Sequence, residues 1–151
     1  MTTQEYLMLS SLMCWDAVMH VALLAGVIDD AKYKSSKGRP DTLANSADIQ
    51  VTDAGAMANL PAGHALVFYE TKNGIPVPIH AMISIGGGRA AGNKNDCVGV
   101  GKSVGWEVLD LSAGLSWSGG GVQAPLGANP TTGQMVHRAV KVHHRPITGM
   151  G

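Results

Sequence analysis

The chain has 151 residues, a formal net charge of zero and a sequence pI near 7.0. A neutral chain offers no electrostatic basis for binding nucleic acid or an anionic membrane, and it holds no run of about 18 apolar residues that could span a bilayer. Its length fits one domain over residues 1–151, and its 20 glycines with 15% charged residues indicate a turn-rich, partly β domain.

The N-terminal segment predicts two helices. Apolar residues recur at three- and four-residue spacings between positions 4 and 28, and Thr2 or Thr3 stands where a helix cap is expected. Ser10-Ser11 interrupts this run, so a second helix is predicted to begin near Cys14 and to end at Gly26.

The segment that follows predicts less regular structure. Lys32–Pro40 is polar and contains Ser-Ser-Lys-Gly, which indicates a loop. Leu43–Met57 is ambiguous, with a short helix or coil expected around Asp48–Ala58.

From Leu60 onward the pattern changes to that of strands. Apolar runs predict strands at Ala65–Glu70 and Ile79–Ile85, joined by a hairpin turn at Asn73-Gly74. A tight reversal at the three glycines 86–88 leads into a third strand. The remaining predicted segments are short strands at Cys97–Val100, Trp106–Leu111 and Met135–His143, and one long glycine-rich loop at Ser118–Gly133. Helix followed by antiparallel sheet predicts the α+β class, with the N-terminal helix packed on one face of the sheet.

Cys14 is the first candidate for chemistry because it stands at the predicted start of the second helix. A helix N-terminus presents unpaired N–H groups and a partial positive charge, both of which favour a thiolate. The same N–H groups can hold an oxyanion in a transition state. The alternative is that Cys14 is a small buried apolar side chain, as most free cysteines are.

His80 is the second candidate, at the start of an apolar strand. Cysteine hydrolases bring a base to the nucleophile by pairing a cysteine on a helix with a histidine elsewhere in the fold, and a third polar group orients the imidazole. The strand after the glycine turn is predicted to run beside His80, which makes Asn93 the candidate for that third group. Asn95 and Asp96 follow closely and are the alternatives. A histidine that is merely packed in the core remains open.

Two sheet segments resemble a known family. "LPAGHALVFYE" and "IHAMISIGGGRAAGN" are similar to successive strands of the NlpC/P60 group of papain-like cysteine hydrolases. The matching positions are Gly63, Leu66, Val67, Phe68 and Tyr69 in the first strand, and His80, Ile83, Ile85, Gly86 and Gly88 in the second. Cys14 matches the nucleophile of that group, and Asn93 falls within one residue of its third polar position. The resemblance covers residues 10–28 and 60–95.

The chain departs from that family at two places. His64 stands where an aspartate is usual, and Cys14 is followed by Trp15-Asp16 where Ser-Gly is usual. "Cys-Trp-Asp-Ala" is more similar to transglutaminase-type cysteine sites, which leaves the subfamily and the substrate open.

The resemblance implies acyl transfer at an amide without a cofactor or metal. Cys14 would attack the carbonyl, His80 would move the proton, and Asn93 would orient His80; Trp15, Tyr69 and Trp106 are candidates for the substrate cleft. Peptide bonds of peptidoglycan are the first expected substrate, and a glutamine side chain of a protein, deamidated or transamidated, is the alternative.

The expected biological setting follows from the same resemblance. Small domains of this kind often act as bacterial toxin effectors, exported without a signal peptide or as part of a larger secreted protein, and countered by an immunity protein. A non-catalytic binding module, with Cys14 and His80 only packed, is the competing function. We predict no metal site, because the adjacent His143 and His144 should point to opposite faces of a strand.

Overall fold

The structure is a computed structural model that describes residues 2–38, 49–98, 105–128 and 130–147. It confirms the α+β class. The helices are α1 (Thr3–Ser11), α2 (Cys14–Leu24), α3 (Asp30–Ser36), α4 (Ala54–Ala58), a 3-10 helix (Asn95–Val98) and α5 (Leu111–Gly114). The strands are β1 (Ile49–Val51), β2 (His64–Lys72), β3 (Ile75–Gly86), β4 (Arg89–Gly92), β5 (Glu107–Asp110), β6 (Ser116–Ser118), β7 (Gly121–Ala128) and β8 (Met135–Pro146).

All strand pairs described here are antiparallel, and they form one path in the order β5-β4-β3-β2-β8-β7-β6. Strand β1 also pairs with β8. The long strand β8 joins the two halves, since it pairs with β2 near its end and with β7 near its start.

The sheet separates two apolar cores because successive strand side chains point to opposite faces. We call the first the helical-face core; it joins α1 and α2 to Val67 of β2 and Ala81 of β3. We call the second the opposite-face core; it contains Leu66, Phe68 and Met82 from the same two strands. Beyond the register shift opposite His80, odd-numbered β3 side chains such as Ala81 and Ile83 lie on the helical face and Met82 lies on the other.

The N-terminal helices agree with the sequence prediction. Two helices are present, and the break between them falls just before Cys14. Thr2 caps α1 through a reciprocal pair of hydrogen bonds, in which its Oγ1 accepts from the Glu5 backbone N–H and Glu5 Oε2 accepts from the Thr2 N–H.

Three predicted segments were wrong. In the loop predicted at Lys32–Pro40, residues 32–36 belong to helix α3, which Asp29 caps by accepting from the Lys32 N–H, and residues 39 and 40 lie outside the described residues. The helix was not predicted because its sequence is polar. The loop predicted at Ser118–Gly133 contains β7, where glycine-rich sequence nevertheless pairs with β6 and β8. The strand predicted at Cys97–Val100 is replaced by the 3-10 helix as far as Val98, and residues 99 and 100 lie outside the described residues.

The segment predicted as short helix or coil around Asp48–Ala58 contains both a strand and a helix. Residues 49–51 form β1, and Ala54–Ala58 form α4, capped by Asp53. Positions 43–48 lie outside the described residues.

The glycine turn between β3 and β4 provides a matched pair of substitutions. Gly87 and Gly88 both have positive φ, 64° and 80°, but a Cβ at Gly88 would lie 2.5 Å from Ser112 Oγ, whereas nothing lies within 4 Å of one at Gly87. We expect Gly87→Ala to cost about 1–2 kcal/mol of left-handed strain. Gly88→Ala should cost a further ~1–3 kcal/mol because of the clash. Urea unfolding of the two variants measures the difference; equal losses would contradict the packing described here.

Candidate active site

Cys14 is the first residue of α2, and it is a free thiol with 7% of its surface exposed. Burial raises the pKa of this thiol, against the opposing effect of hydrogen bonds from the backbone N–H groups of Ala81, Trp15 and Cys14 itself and of the nearby Lys94 charge. The resting sulfur is therefore a neutral thiol at pH 7. The backbone N–H groups around it are nevertheless the kind of donor that stabilises a negative charge that develops there.

His80 is buried, and its Nε2 lies 2.9 Å from Asn95 Oδ1. The Asn95 amide is held in turn because its Nδ2 donates to the Gly92 carbonyl, 3.0 Å away. A carboxamide oxygen only accepts, so His80 Nε2 must carry the proton, and the neutral ring presents Nδ1 as an acceptor. That Nδ1 is buried and has no hydrogen-bond partner in the described part of the chain.

Burial lowers the pKa of His80 to about 4, against the opposing effects of the Asn95 hydrogen bond and the Asp96 charge. The imidazole is therefore neutral at pH 7. Asp96 itself is exposed, and its influence on His80 is through charge alone.

Gly92 makes room for the His80–Asn95 pair. A Cβ at this position would lie 2.9 Å from both Asn95 Oδ1 and Met82 Cγ. Contacts that close require one of the two side chains to move. The glycine at the end of β4 is thus part of what sets the position of Asn95.

Asn93 does not orient His80, contrary to our first choice for the third group. Its Nδ2 donates instead to the backbone carbonyls of Leu9 and Leu12, at 2.7 and 2.6 Å. The reason is the turn after β4, which ends at Gly92: Lys94 has a positive φ of 51°, so that Asn93 is directed to the carbonyls of α1 and its C-cap whereas Asn95, the first residue of the 3-10 helix, reaches His80. Asn95, one of the two predicted alternatives, makes the contact.

The role of Asn93 is to hold the turn that precedes Cys14, and this predicts a loss of stability. Asn93→Ala removes the side-chain donor to the Leu9 carbonyl and one of two donors to the Leu12 carbonyl, which Lys94 Nζ also reaches, so we expect it to lower the free energy of unfolding by about 1–3 kcal/mol. Asn59→Ala, at an exposed asparagine, should change it by less than about 0.5 kcal/mol. Denaturant unfolding compares them, and similar losses would show that the Asn93 contacts contribute little.

The structure does not contain the predicted contact between the Cys14 sulfur and the His80 imidazole. His80 pairs with Phe68 across the strands, and the two rings lie 5.5 Å apart on the side of the opposite-face core. Cys14 belongs to the helical-face core. The two groups are neighbours through Ala81, whose N–H faces the sulfur and which directly follows His80, but they lie on opposite faces of β3.

The three predicted cleft residues are distributed along the helical face. Trp106 is 9% exposed and belongs to the same core cluster as Cys14, and Trp15 packs against that cluster. Tyr69 contacts the His143 ring edge-on, with centroids 5.0 Å apart, and borders a cavity of about 430 Å³ that Lys141 also lines. Trp15 and Trp106 thus lie near Cys14, and Tyr69 lines an opening that the sequence did not indicate.

Comparison with known proteins adds no family. No protein-family model, curated protein or solved structure matches the chain. Within the described residues, no helix has the length and apolar character needed to cross a membrane.

Proposed function

We propose that the protein is a cysteine-dependent amide hydrolase with a papain-like core, in which Cys14 is the nucleophile, His80 the base and Asn95 the residue that orients the base. The observation that carries the proposal is the buried His80–Asn95 pair. It fixes the proton on Nε2 and leaves Nδ1 as an acceptor, one residue from the amide that faces the Cys14 sulfur. A nucleophile, a base and an orienting group make up this kind of site.

The reaction requires the sulfur and Nδ1 to converge at the edge of β3. The pairing of β3 with β4 ends at Ile83, and beside Ala81 the strand is covered by Gly92 and Asn95 without a further ladder pair. Side-chain rotation of Cys14 or His80 about this buried part of β3 is the motion that the proposal needs. Catalytic hydrogen bonds often tighten only when substrate binds.

The chemical sequence uses these three side chains in turn. Nδ1 of His80 takes the thiol proton as the sulfur attacks the amide carbonyl, and the backbone N–H groups at the start of α2 stabilise the oxyanion. The imidazolium gives its proton to the leaving amine, and a thioester to Cys14 remains. Water then attacks the thioester, with His80 accepting its proton, and the acid product and free thiol are released.

The proposed substrate is a peptide bond of peptidoglycan, and the proposed setting is a bacterial effector with a cognate immunity protein. Both rest on the resemblance of the strands around His80 to NlpC/P60 hydrolases. Deamidation or transamidation of a protein glutamine is the alternative within the same chemistry, since the sequence after Cys14 is Trp-Asp.

A non-catalytic binding module is the second candidate, and specific observations favour it. Cys14 and His80 are 7% and 2% exposed and lie on opposite faces of β3. Burial raises the pKa of the thiol and lowers that of the imidazole, and both shifts oppose formation of a thiolate–imidazolium pair. In this alternative both side chains serve packing alone.

Incubation of the protein with purified peptidoglycan, followed by mass spectrometry of the soluble fragments, tests the proposal. New amine and carboxyl termini at one stem-peptide bond are the expected result. Ammonia released from glutamine-containing proteins, without peptidoglycan fragments, would instead support the deamidase. Absence of both activities across a panel of amide substrates would favour the binding module.

A further inference from the structure

Two adjoining cavities lie along strand β8, outside the set of residues that the proposed reaction uses. One has a volume of about 430 Å³ and the other of about 230 Å³, and Tyr69, Thr71 and Lys141 line both. Tyr69 and Lys141 pair directly across β2 and β8, and Tyr69 packs against the helical-face core. We call the two cavities together the β8 groove.

The length of the groove indicates the size of its ligand. The smaller cavity reaches Ala139 of β8, and the larger one reaches His143. A strand rises about 3.4 Å per residue, so these two positions are about 14 Å apart. An extended peptide of about four residues has this length, whereas a single amino acid does not. The groove therefore fits a short extended peptide.

Lys141 lies where the two cavities meet, and it determines the charge of the groove. Among the described residues that line the groove, it is the only lysine or arginine, and none is an aspartate or glutamate. Its ammonium has no ion-pair partner in the described part of the chain. Gly121 leaves space beside it, since a Cβ there would lie 3.9 Å from Lys141 Cγ. This cation favours a carboxylate on the ligand.

Neutral polar groups in the groove suit a peptide backbone. Tyr69 and Thr71 carry hydroxyls, and burial raises the pKa of the Tyr69 phenol, which keeps its proton at pH 7.5. The Gln50 amide is anchored because its Nε2 donates to the Gly120 carbonyl, which ties β1 to the turn between β6 and β7. A few fixed polar groups in a cavity of several hundred Å³ are typical of ligand sites.

We propose that the β8 groove binds a short extended peptide, and that Lys141 pairs with an acidic side chain near the middle of this peptide. Lys141 is two residues from each end of the span 139–143. A C-terminal carboxylate placed at Lys141 would therefore fill one cavity and leave the other, whereas a side-chain carboxylate allows the peptide to fill both. The site does not depend on the proposed reaction, because Cys14, His80 and Asn95 are not part of it.

NMR titration of the full chain carrying Cys14→Ala measures this affinity at pH 7.5, and the missing sulfur separates binding from cleavage. The probe is the pentapeptide Ala-Ala-Glu-Ala-Ala with both termini blocked. We expect saturable shifts centred on residues 139–143 and Tyr69, and about tenfold weaker binding of the same peptide with glutamine at its centre. Lys141→Met should weaken binding of the glutamate peptide to the same extent, and Lys141→Arg should restore most of it.

Lys72→Met is the matched control, because Lys72 is an exposed lysine of β2 that does not line the groove. It should leave the affinity unchanged. Penta-alanine with a blocked N-terminus and a free C-terminal carboxylate tests the other source of the charge, and it should bind no better than the glutamine peptide. Absence of saturable shifts, equal losses in Lys141→Met and Lys72→Met, or tighter binding of penta-alanine than of the glutamate peptide would each overturn the proposal.

Discussion

Replacement of Cys14 by alanine is expected to lower the rate of amide cleavage by at least about 10³-fold, because the sulfur that forms the thioester is lost. The fold should persist, since alanine fits the space that the thiol leaves at the start of α2 and the core cluster around it keeps its other members. The expected stability loss is of the order of 1 kcal/mol. Initial rates on the cleaved substrate, with circular dichroism to confirm folding, measure the effect.

The control for this substitution is Cys97→Ala, which removes the other of the two cysteines. We expect it to keep the wild-type rate within a factor of about three. A Cys14→Ala protein that cleaves the substrate as fast as wild type would contradict the assignment of the nucleophile.

Acidification is expected to destabilise the protein through His80. Burial lowers the pKa of this imidazole to about 4, whereas an unfolded histidine titrates near 6.5. Between these values the unfolded chain binds a proton that the folded chain does not, so stability falls as pH falls. The loss of folding stability due to His80 is negligible above pH 6.5 and reaches about 3 kcal/mol near pH 4.

The matched variant for this effect is His80→Gln, which keeps a polar side chain that does not titrate. We expect the wild type to lose about 3 kcal/mol more than the variant when urea unfolding is compared at pH 7.5 and pH 4. Histidines such as His64 are present in both proteins and cancel from the difference. Parallel pH dependence of the two proteins would show that the His80 ring is not held neutral.

The sequence was sufficient for the parts of the fold that local chemistry determines. A helix cap at Thr2 or Thr3, the helix break before Cys14 and the hairpin at Asn73-Gly74, where both residues have positive φ, were predictable from residue type and spacing. Helix α3 and strand β7 were missed because their stability comes from capping and strand pairing and not from an apolar pattern.

The candidate site was predictable in its residue types and not in its geometry. A cysteine at a helix start and a histidine on a strand can be identified from sequence, but the face to which the histidine points depends on strand register. The β2–β3 register shifts between Phe68 and Tyr69, opposite His80, and no local sequence pattern predicts that shift. The choice between Asn93 and Asn95 depends on the turn after β4, where Lys94 adopts a positive φ and the 3-10 helix begins at Asn95.

The contact between His64 and His144 could not be predicted from the sequence either. The two residues are 80 positions apart, and only the β2–β8 pairing brings their Nδ1 atoms together. The opposite orientations predicted for His143 and His144 are confirmed, since these residues pair with Val67 and Leu66, which belong to different cores.

The most direct test of the central claim is the alkylation rate of Cys14 by iodoacetamide at pH 7.5 in a Cys97→Ala background. If His80 activates the sulfur, the rate should fall by about tenfold or more in His80→Ala, fall less in Asn95→Ala, and stay unchanged in His143→Ala. Alkylation of Cys14 that proceeds only as fast as the chain unfolds, or equally fast in all three variants, would contradict the claim that His80 serves Cys14 as its base.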